Sequence, residues 1–508
     1  MMKTIKKILP ALLFVLSGCS SDVDIRREML ANVRNGRFDT AAETVFNKDY
    51  MSSKSDRFVR EAERGSLHYM QGHYYQALKH FDRAADIAKQ LFTVSVSKTA
   101  GAQIFGDSMT DYPGERYEQS LIRFYQSLCH YMLYQQGFYE AINETTPKKM
   151  LSPDERRKHL YAARATIVEW DSFLTDMAHS NAGKAVFKQD IAAKIWGGLI
   201  HRAIGTSSDR QIAEKLFKQV PLYLTRNYAM YPAYNVNWIP YVREYRDLPR
   251  KSAAELAATY LKSTSYTKDL RDLAQRANGE QNTTIVLKTG LVGERFGSEP
   301  KFKLDPAILA AMAAVSRADM NVMLGMFLAN GLITVPMPNI ECPQVDSEYN
   351  FAIKDASGKV FTRGKMALIN PVSEIACQEY IERYPALVNK KLARMGTKYA
   401  VAVVGAYAAQ KAAREFGNEQ FGDGWGDLFA LGAGAGTLAA EHAAIQASEK
   451  PDLRYWSLLP DAIWLQTLSL PAGKYTVEIQ NGDVTVYTDS FTVKDETNTV
   501  VDINLPTE

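Results

Sequence analysis

The stretch Gly72-His73-Tyr74-Tyr75-Gln76-Ala77, preceded by Gly65 and followed by Phe81 and Ala84, constrains the fold more than any other part of the chain. Gly65 lets two helices approach closely, Ala77 and Ala84 are small where helices cross, and Tyr74 and Phe81 fill the space between them. Gly36-Arg37-Phe38-Asp39-Thr40-Ala41 with Val45 repeats this spacing 36 residues earlier. Repetition at such a period indicates stacked helical units, none of which can bury its apolar face alone.

The spacing resembles that of the tetratricopeptide repeat, whose period is about 34 residues. His68 departs from it, standing where the family usually has a tyrosine. Helical texture runs from about Asp24 to Asn278, and its later copies are weaker. Gln136-Gly137-Phe138-Tyr139 resembles another turn between paired helices, interrupted by Thr145-Thr146-Pro147 before a helix from roughly Asp154 to Met177. Trp196 and Leu199, then Ala213 and Phe217, suggest a further pair with a longer turn.

From Thr283 the texture becomes β-branched. Thr284 to Leu287, Leu332 to Val335 and Tyr349 to Ile353 read as strands, and Asp355 to Gly358 as a hairpin turn into Val360-Phe361. Pro371 to Tyr384 reads as a helix begun by Ser373 and Glu374. Gly473 to Ile479 alternates as a strand, Asn481-Gly482 turns, Val484 to Val493 returns, and Val500 to Leu505 offers a third strand. The expected fold is therefore mainly α: a tetratricopeptide-like helical array, then an α+β domain ending in a small antiparallel β unit. The expected division is a signal peptide over 1–18, the helical domain over 19–278 and the α+β domain over 279–508.

Two alanine- and glycine-rich segments, Lys398 to Phe416 and Leu428 to Ala447, fall short of the roughly 20 apolar residues a membrane span requires. They read as a close-packed helical hairpin in the soluble domain, the alternative being a hairpin that inserts or oligomerises at a membrane.

At the amino end, Lys3, Lys6 and Lys7 precede the apolar run Ile8 to Leu16 and the small residues Ser17-Gly18, the layout of a signal peptide. Leu16-Ser17-Gly18-Cys19 matches the lipobox of bacterial lipoproteins. That resemblance makes Cys19 the lipidated first residue of the mature chain, and Ser20, where an aspartate would suggest inner-membrane retention, favours the periplasmic face of the outer membrane. The formal charge of +3 falls to zero once the three lysines leave, with 57 basic and 57 acidic side chains. Nucleic acid is thus not an expected partner, since its binding rests on a basic patch. Cys342 and Cys377 could pair in an oxidising compartment, leaving Cys129 as a small buried hydrophobe; the sequence leaves the pairing open.

Chemical motifs are missing from the sequence. It has no phosphate loop, no Gly-x-Ser-x-Gly elbow and no metal spacing among its histidines, and Gly432 to Gly436 lacks the strand a dinucleotide loop needs. No cofactor, metal ligand or catalytic residue is assigned, and the chain is not expected to be an enzyme. The candidate binding residues are aromatic: Tyr74 in the Gly72–Ala77 repeat unit, and Tyr228, Tyr234, Trp238 and Tyr241 in a cluster broken by Pro232 and Pro240. Such rings either bind glycan, peptidoglycan included, or pack the last repeat onto the following domain. In both cases the segment is the junction of the two halves.

Asp452-Leu453-Arg454-Tyr455-Trp456 with Leu459-Pro460, and Leu470-Pro471-Ala472-Gly473-Lys474-Tyr475, complete a resemblance of the whole chain to a poorly characterised family of Gram-negative outer-membrane lipoproteins. The resemblance implies an accessory factor of envelope assembly or secretion, with envelope proteins as partners and no catalytic residues. Asp452, Arg454 and Trp456 read as a structural corner in which arginine stacks on tryptophan.

Overall fold

Gly72 takes a left-handed backbone (φ +75°) between helix α3, Arg57–Met70, and helix α4, Tyr74–Ser95. Glycine adopts that conformation without the clash of a Cβ, and α4 folds back onto α3. The crossing is tight: a Cβ added at Gly65 would lie 2.6 Å from the Phe81 ring. The computed structural model describes residues 18–95, 110–141, 146–180, 187–237, 261–303, 332–421, 448–494 and 498–507, with scattered positions between 433 and 445.

The other helices of the first half are α1 (Gly18–Arg34), α2 (Phe38–Asn47), α5 (Arg116–Gln136), α6 (Pro153–Ser180), α7 (Ile191–Ile204) and α8 (Ser207–Arg226). Chain neighbours pack on one another, α1 on α2, α4 on α5, α5 on α6 and α7 on α8. The α7–α8 crossing uses the same device as α3–α4, because a Cβ on Gly198 would meet the Phe217 ring at 2.5 Å. After α5 the expected helix-to-helix turn takes another form. Gly137 ends α5, and Phe138–Tyr139 becomes strand β1, antiparallel to β2, Lys149–Met150.

Among the described residues, the second half holds two four-stranded sheets. In the first, β3 (Thr283–Thr289) is buried along its whole length, between β11 (Ala462–Leu468) and β14 (Thr499–Leu505), with β10 (Ala367–Asn370) at the edge beyond β11. In the second, β12 (Gly473–Asn481) lies between β13 (Val484–Val493) and β8 (Tyr349–Asp355), with β9 (Val360–Lys365) outermost. Shorter two-stranded pairs are β4 (Arg295–Ser298) with β7 (Met337–Ile340), and β5 (Lys301–Lys303) with β6 (Leu332–Thr334).

The expected antiparallel β unit at residues 473–505 does not stand apart. The hairpin β12–β13 joins β8–β9, while β14 leaves it and pairs in parallel with β3, Thr499 opposite Thr283 through Leu505 opposite Thr289. Packing explains the choice, since β14 brings buried Val500, Val501 and Ile503 to the core. Its outer edge is capped by α5: the Gln135 amide donates to the Val500 carbonyl at 2.9 Å and accepts its N–H at 2.6 Å. At Val500 a side-chain amide thus stands in for the next strand.

The helix expected over Pro371 to Tyr384 is far longer. Helix α10 runs Val372–Phe421, 50 residues and therefore about 75 Å. Pro385 deletes a backbone donor inside it but does not end it. Contacts beyond the proline hold it: the Arg394 guanidinium donates to both oxygens of the buried Glu449 at 2.8–3.1 Å, and Lys398 donates at 2.7 Å. The first alanine-rich segment is thus the outer part of α10, and most of Leu428 to Ala447 lies outside the described residues. No described helix is long and apolar enough to cross a membrane.

One apolar cluster runs from α1 through the helices into β3, β11, β12 and β14, so the core is continuous across residues 278 and 279. Helix α9, Ser265–Ala277, packs on both α8 and β10. Polar bolts cross the same junction. Tyr69 of α3 donates to Asp502 of β14 at 2.5 Å, and Lys288 of β3 pairs with the same carboxylate. Cys342 and Cys377 are disulfide-bonded, joining the loop after β7 to the first turns of α10, and Cys129 is free and buried.

Candidate functional site

Helix α5 begins after Pro113-Gly114 with a reciprocal cap. The Glu118 carboxylate accepts the Glu115 N–H at 2.7 Å, and the Glu115 side chain covers the third-residue N–H in return. The next exposed donors, the N–H groups of Arg116 and Tyr117, are taken by a carboxylate from far along the chain. Glu379 of α10 accepts them at 3.2 and 3.4 Å, with Arg116 Nε 3.5 Å away. A negative group at a helix amino terminus is favoured by the helix dipole. Burial nevertheless dominates and raises the Glu379 carboxyl to about 7, the charge of Arg116 opposing it.

Guanidinium groups gather around this junction. Arg295 of β4 donates to Glu115 at 3.1 Å and to the Arg454 carbonyl at 2.9 Å, and Arg383 of α10 pairs with the second oxygen of Glu115. Arg454 grips Asp452 through two bonds of 2.7–2.8 Å and also donates to Asp56 (3.1 Å) and to the carbonyls of Ser55 and Thr110. These groups line a cleft of about 670 Å³ between the start of α5, one face of α10 and the Asp452–Arg454 corner. Six cationic side chains, Arg116, Arg295, Arg383, Lys390, Lys391 and Arg454, face four acidic ones, Asp111, Glu115, Glu379 and Asp452.

Asp452, Arg454 and Trp456 form a corner, but not through the expected stack. The Arg454 guanidinium lies over the Tyr112 ring at 5.3 Å, whereas Trp456 is fully buried against the stacked rings of Phe81 and Tyr125 and donates its indole N–H to Ser66 at 2.8 Å. Both residues are therefore drawn to the helical half rather than to each other. Carboxylates of that half receive the corner's backbone: Glu118 accepts the Trp456 N–H and Glu63 the Ser457 N–H, each at 2.8 Å.

The candidate aromatic site is corrected in part. Tyr228 and Tyr234 are wholly buried, pack on each other at 5.4 Å, and use their hydroxyls internally. Tyr228 bonds to Asp190, and Tyr234 donates to the Leu368 carbonyl of β10 at 3.0 Å. These rings weld the last helices to the sheet and present no face to a glycan, because the core claims their apolar area first. Tyr74 is half-buried at the start of α4, against Tyr69, with its backbone N–H held by Glu140 at 3.0 Å. Trp238 and Tyr241 lie outside the described residues, as does all of the lipobox before Gly18; Cys19 falls in the first turn of α1.

The cleft is not legible in the sequence because its walls come from five separate segments. One signal was present: Ala376, Glu379, Tyr380, Arg383, Leu387 and Lys390 recur at helical spacing along one face. A helix ending at Tyr384 hides half of that face. The histidines do meet, His68 stacking on His80 at 5.4 Å and His130 bonding to His159 at 2.9 Å. No cluster of His, Cys, Asp or Glu among the described residues is placed to hold a metal ion. No family model matches the chain, and no curated protein or solved structure is similar to it.

Proposed function

We propose that this chain is a lipid-anchored scaffold on the periplasmic face of the outer membrane, holding protein partners in envelope assembly or secretion. The carrying observation is the repeated helix crossing, Gly65 against Phe81 and Gly198 against Phe217. It supports a tetratricopeptide-like array, whose stacked pairs offer an extended surface to a peptide or a partner helix. The continuous core fixes that surface relative to the two sheets. The Cys342–Cys377 disulfide suits an exported protein, because such bonds persist in oxidising compartments.

Cys19 carries the tether in this reading. The Cys19→Ala protein is expected to fold, since the core and the joints between the halves are built from other residues, but to be released from the membrane and to lose its partners in a crosslinked pull-down from the envelope. Recovery of no partner under several crosslinkers, or full function from the soluble periplasm, overturns the proposal.

An enzyme of an unrecognised class is the second reading, and the cleft is the observation in its favour, since it gathers titratable groups from separate segments. Against it, Glu115, Glu379 and Asp452 are each engaged by arginines or backbone N–H groups. Peptidoglycan binding by the aromatic segment now rests on Trp238 and Tyr241 alone; sedimentation with purified peptidoglycan that their alanine variants leave unchanged removes it.

A further inference from the structure

We infer that the cleft between α5 and α10 binds a small oxyanion ligand, one carrying carboxylate or phosphate groups, independently of the scaffold role. Its volume of about 670 Å³ falls within the range of small-molecule sites, roughly 300–1,000 Å³. Its lining carries an excess of positive charge, six cationic against four acidic side chains. The acids are already used in place: Glu115 holds Arg295 and Arg383, and Asp452 holds Arg454. They orient the guanidinium planes in advance, and a planar fork so held is suited to carboxylate and phosphate oxygens.

Two donors in the wall lack a partner. Arg116 Nη1 and Arg295 Nε are buried without a hydrogen bond, and the Arg295 side chain is only 10% exposed. Buried polar atoms are nearly always satisfied, so these two nitrogens, which lie behind the cleft surface, leave donor capacity in the wall that an acceptor entering the cleft can draw on once the guanidinium groups turn. The amino terminus of α5 is not that site, because Glu379 occupies it. The acceptor therefore meets side chains, with Tyr380 and Leu387 as apolar wall beneath it. A cation would meet the opposite balance: Glu115, Glu379 and Asp452 are held by arginines, and cationic side chains outnumber acidic ones in the lining.

The test is calorimetric titration of the purified full-length protein with pyrophosphate and with citrate, at low and at moderate salt. Saturable 1:1 binding of at least one probe, weakened by salt, is expected, and the preferred probe tells phosphate from carboxylate chemistry. Lys390→Glu, at an exposed position on the cleft face of α10, weakens binding tenfold or more without changing the melting temperature. Arg383→Gln weakens it similarly and serves as the second variant. Binding of neither probe, or affinities that both variants leave within twofold, overturns the inference.

Discussion

Glu63 and Ser457 lie 394 residues apart, yet one carboxylate oxygen of Glu63 accepts both the Ser457 N–H at 2.8 Å and its hydroxyl at 2.6 Å. Glu118 likewise accepts the Trp456 N–H, Glu379 those of Arg116 and Tyr117, and Glu374 those of Ala233 and Val345 at 2.9 and 3.0 Å. Buried carboxylates, each receiving backbone donors from a distant segment, are this protein's recurring joint.

Removing one such acceptor leaves its donors buried and unpaired. Glu63→Ala is therefore expected to cost about 1 to 3 kcal/mol, and more if water cannot enter. Denaturant unfolding monitored by tryptophan fluorescence measures the loss, and stability equal to wild type would show that the Glu63–Ser457 joint carries no weight.

These joints also set a pH dependence. Burial raises Glu63, Glu374 and Glu379 to about 7, above the value near 4.5 of an unfolded glutamate. A raised carboxyl stabilises the fold fully below about 4.5 and loses that contribution as pH climbs through about 7. His68 and His130 act the other way. Their values, lowered by burial to about 4 and about 3, give stability present above 6.5 and lost as pH falls towards them. The separable expectation is that Glu374→Gln gains on the wild type as pH is raised from 5 to 8. Unfolding free energies across that range check it, and parallel curves refute it.

The disulfide closes a loop with a sequence separation of 35, for which chain entropy predicts about 3 to 4 kcal/mol. Replacing both Cys342 and Cys377 by serine is expected to lower stability by that order. Reducing agent is expected to lower the wild-type melting temperature while leaving the double variant unchanged, which a thermal scan with and without reductant would establish.

Gly65→Ala tests the helix crossing. A new methyl gains about 1 kcal/mol of helix propensity but meets the Phe81 ring at 2.6 Å. That ring is wedged against Tyr125 at 5.4 Å and Trp456 at 5.7 Å and cannot step aside. Overpacking of about 1 to 3 kcal/mol is expected to prevail. Gly198→Ala against Phe217 should behave alike, and calorimetry showing either variant more stable than wild type would mean the crossings are looser than they look.

Local pattern carried much of the fold. The β-branched run at Thr284 to Leu287, the Asp355–Gly358 turn and the glycine turns of the helical half appear where spacing put them, because each is decided by a few adjacent residues. Partner choice was not legible. Nothing near Val500 says that its strand will pair with β3, and nothing near Pro385 says that Glu449 will hold the helix beyond it. The cleft was hidden for the same reason, its charges being scattered until α5 and α10 meet. The rings at Tyr228 and Tyr234 were legible as a junction, while the partner of the Tyr234 hydroxyl, the Leu368 carbonyl, lies more than 100 positions away.

Order of synthesis gives the parallel pairing of β14 with β3 a further meaning. Both neighbours of β3 come from residues after Ala462, and Glu63, Glu118 and Tyr69 wait for partners from Trp456 to Asp502. A chain cut short before β14 keeps every helix but cannot close its central sheet or satisfy the charges already buried beneath it. Such fragments would show apolar surface and unpaired strand edge together, so the first-made helices depend for their own completion on a strand made long after them.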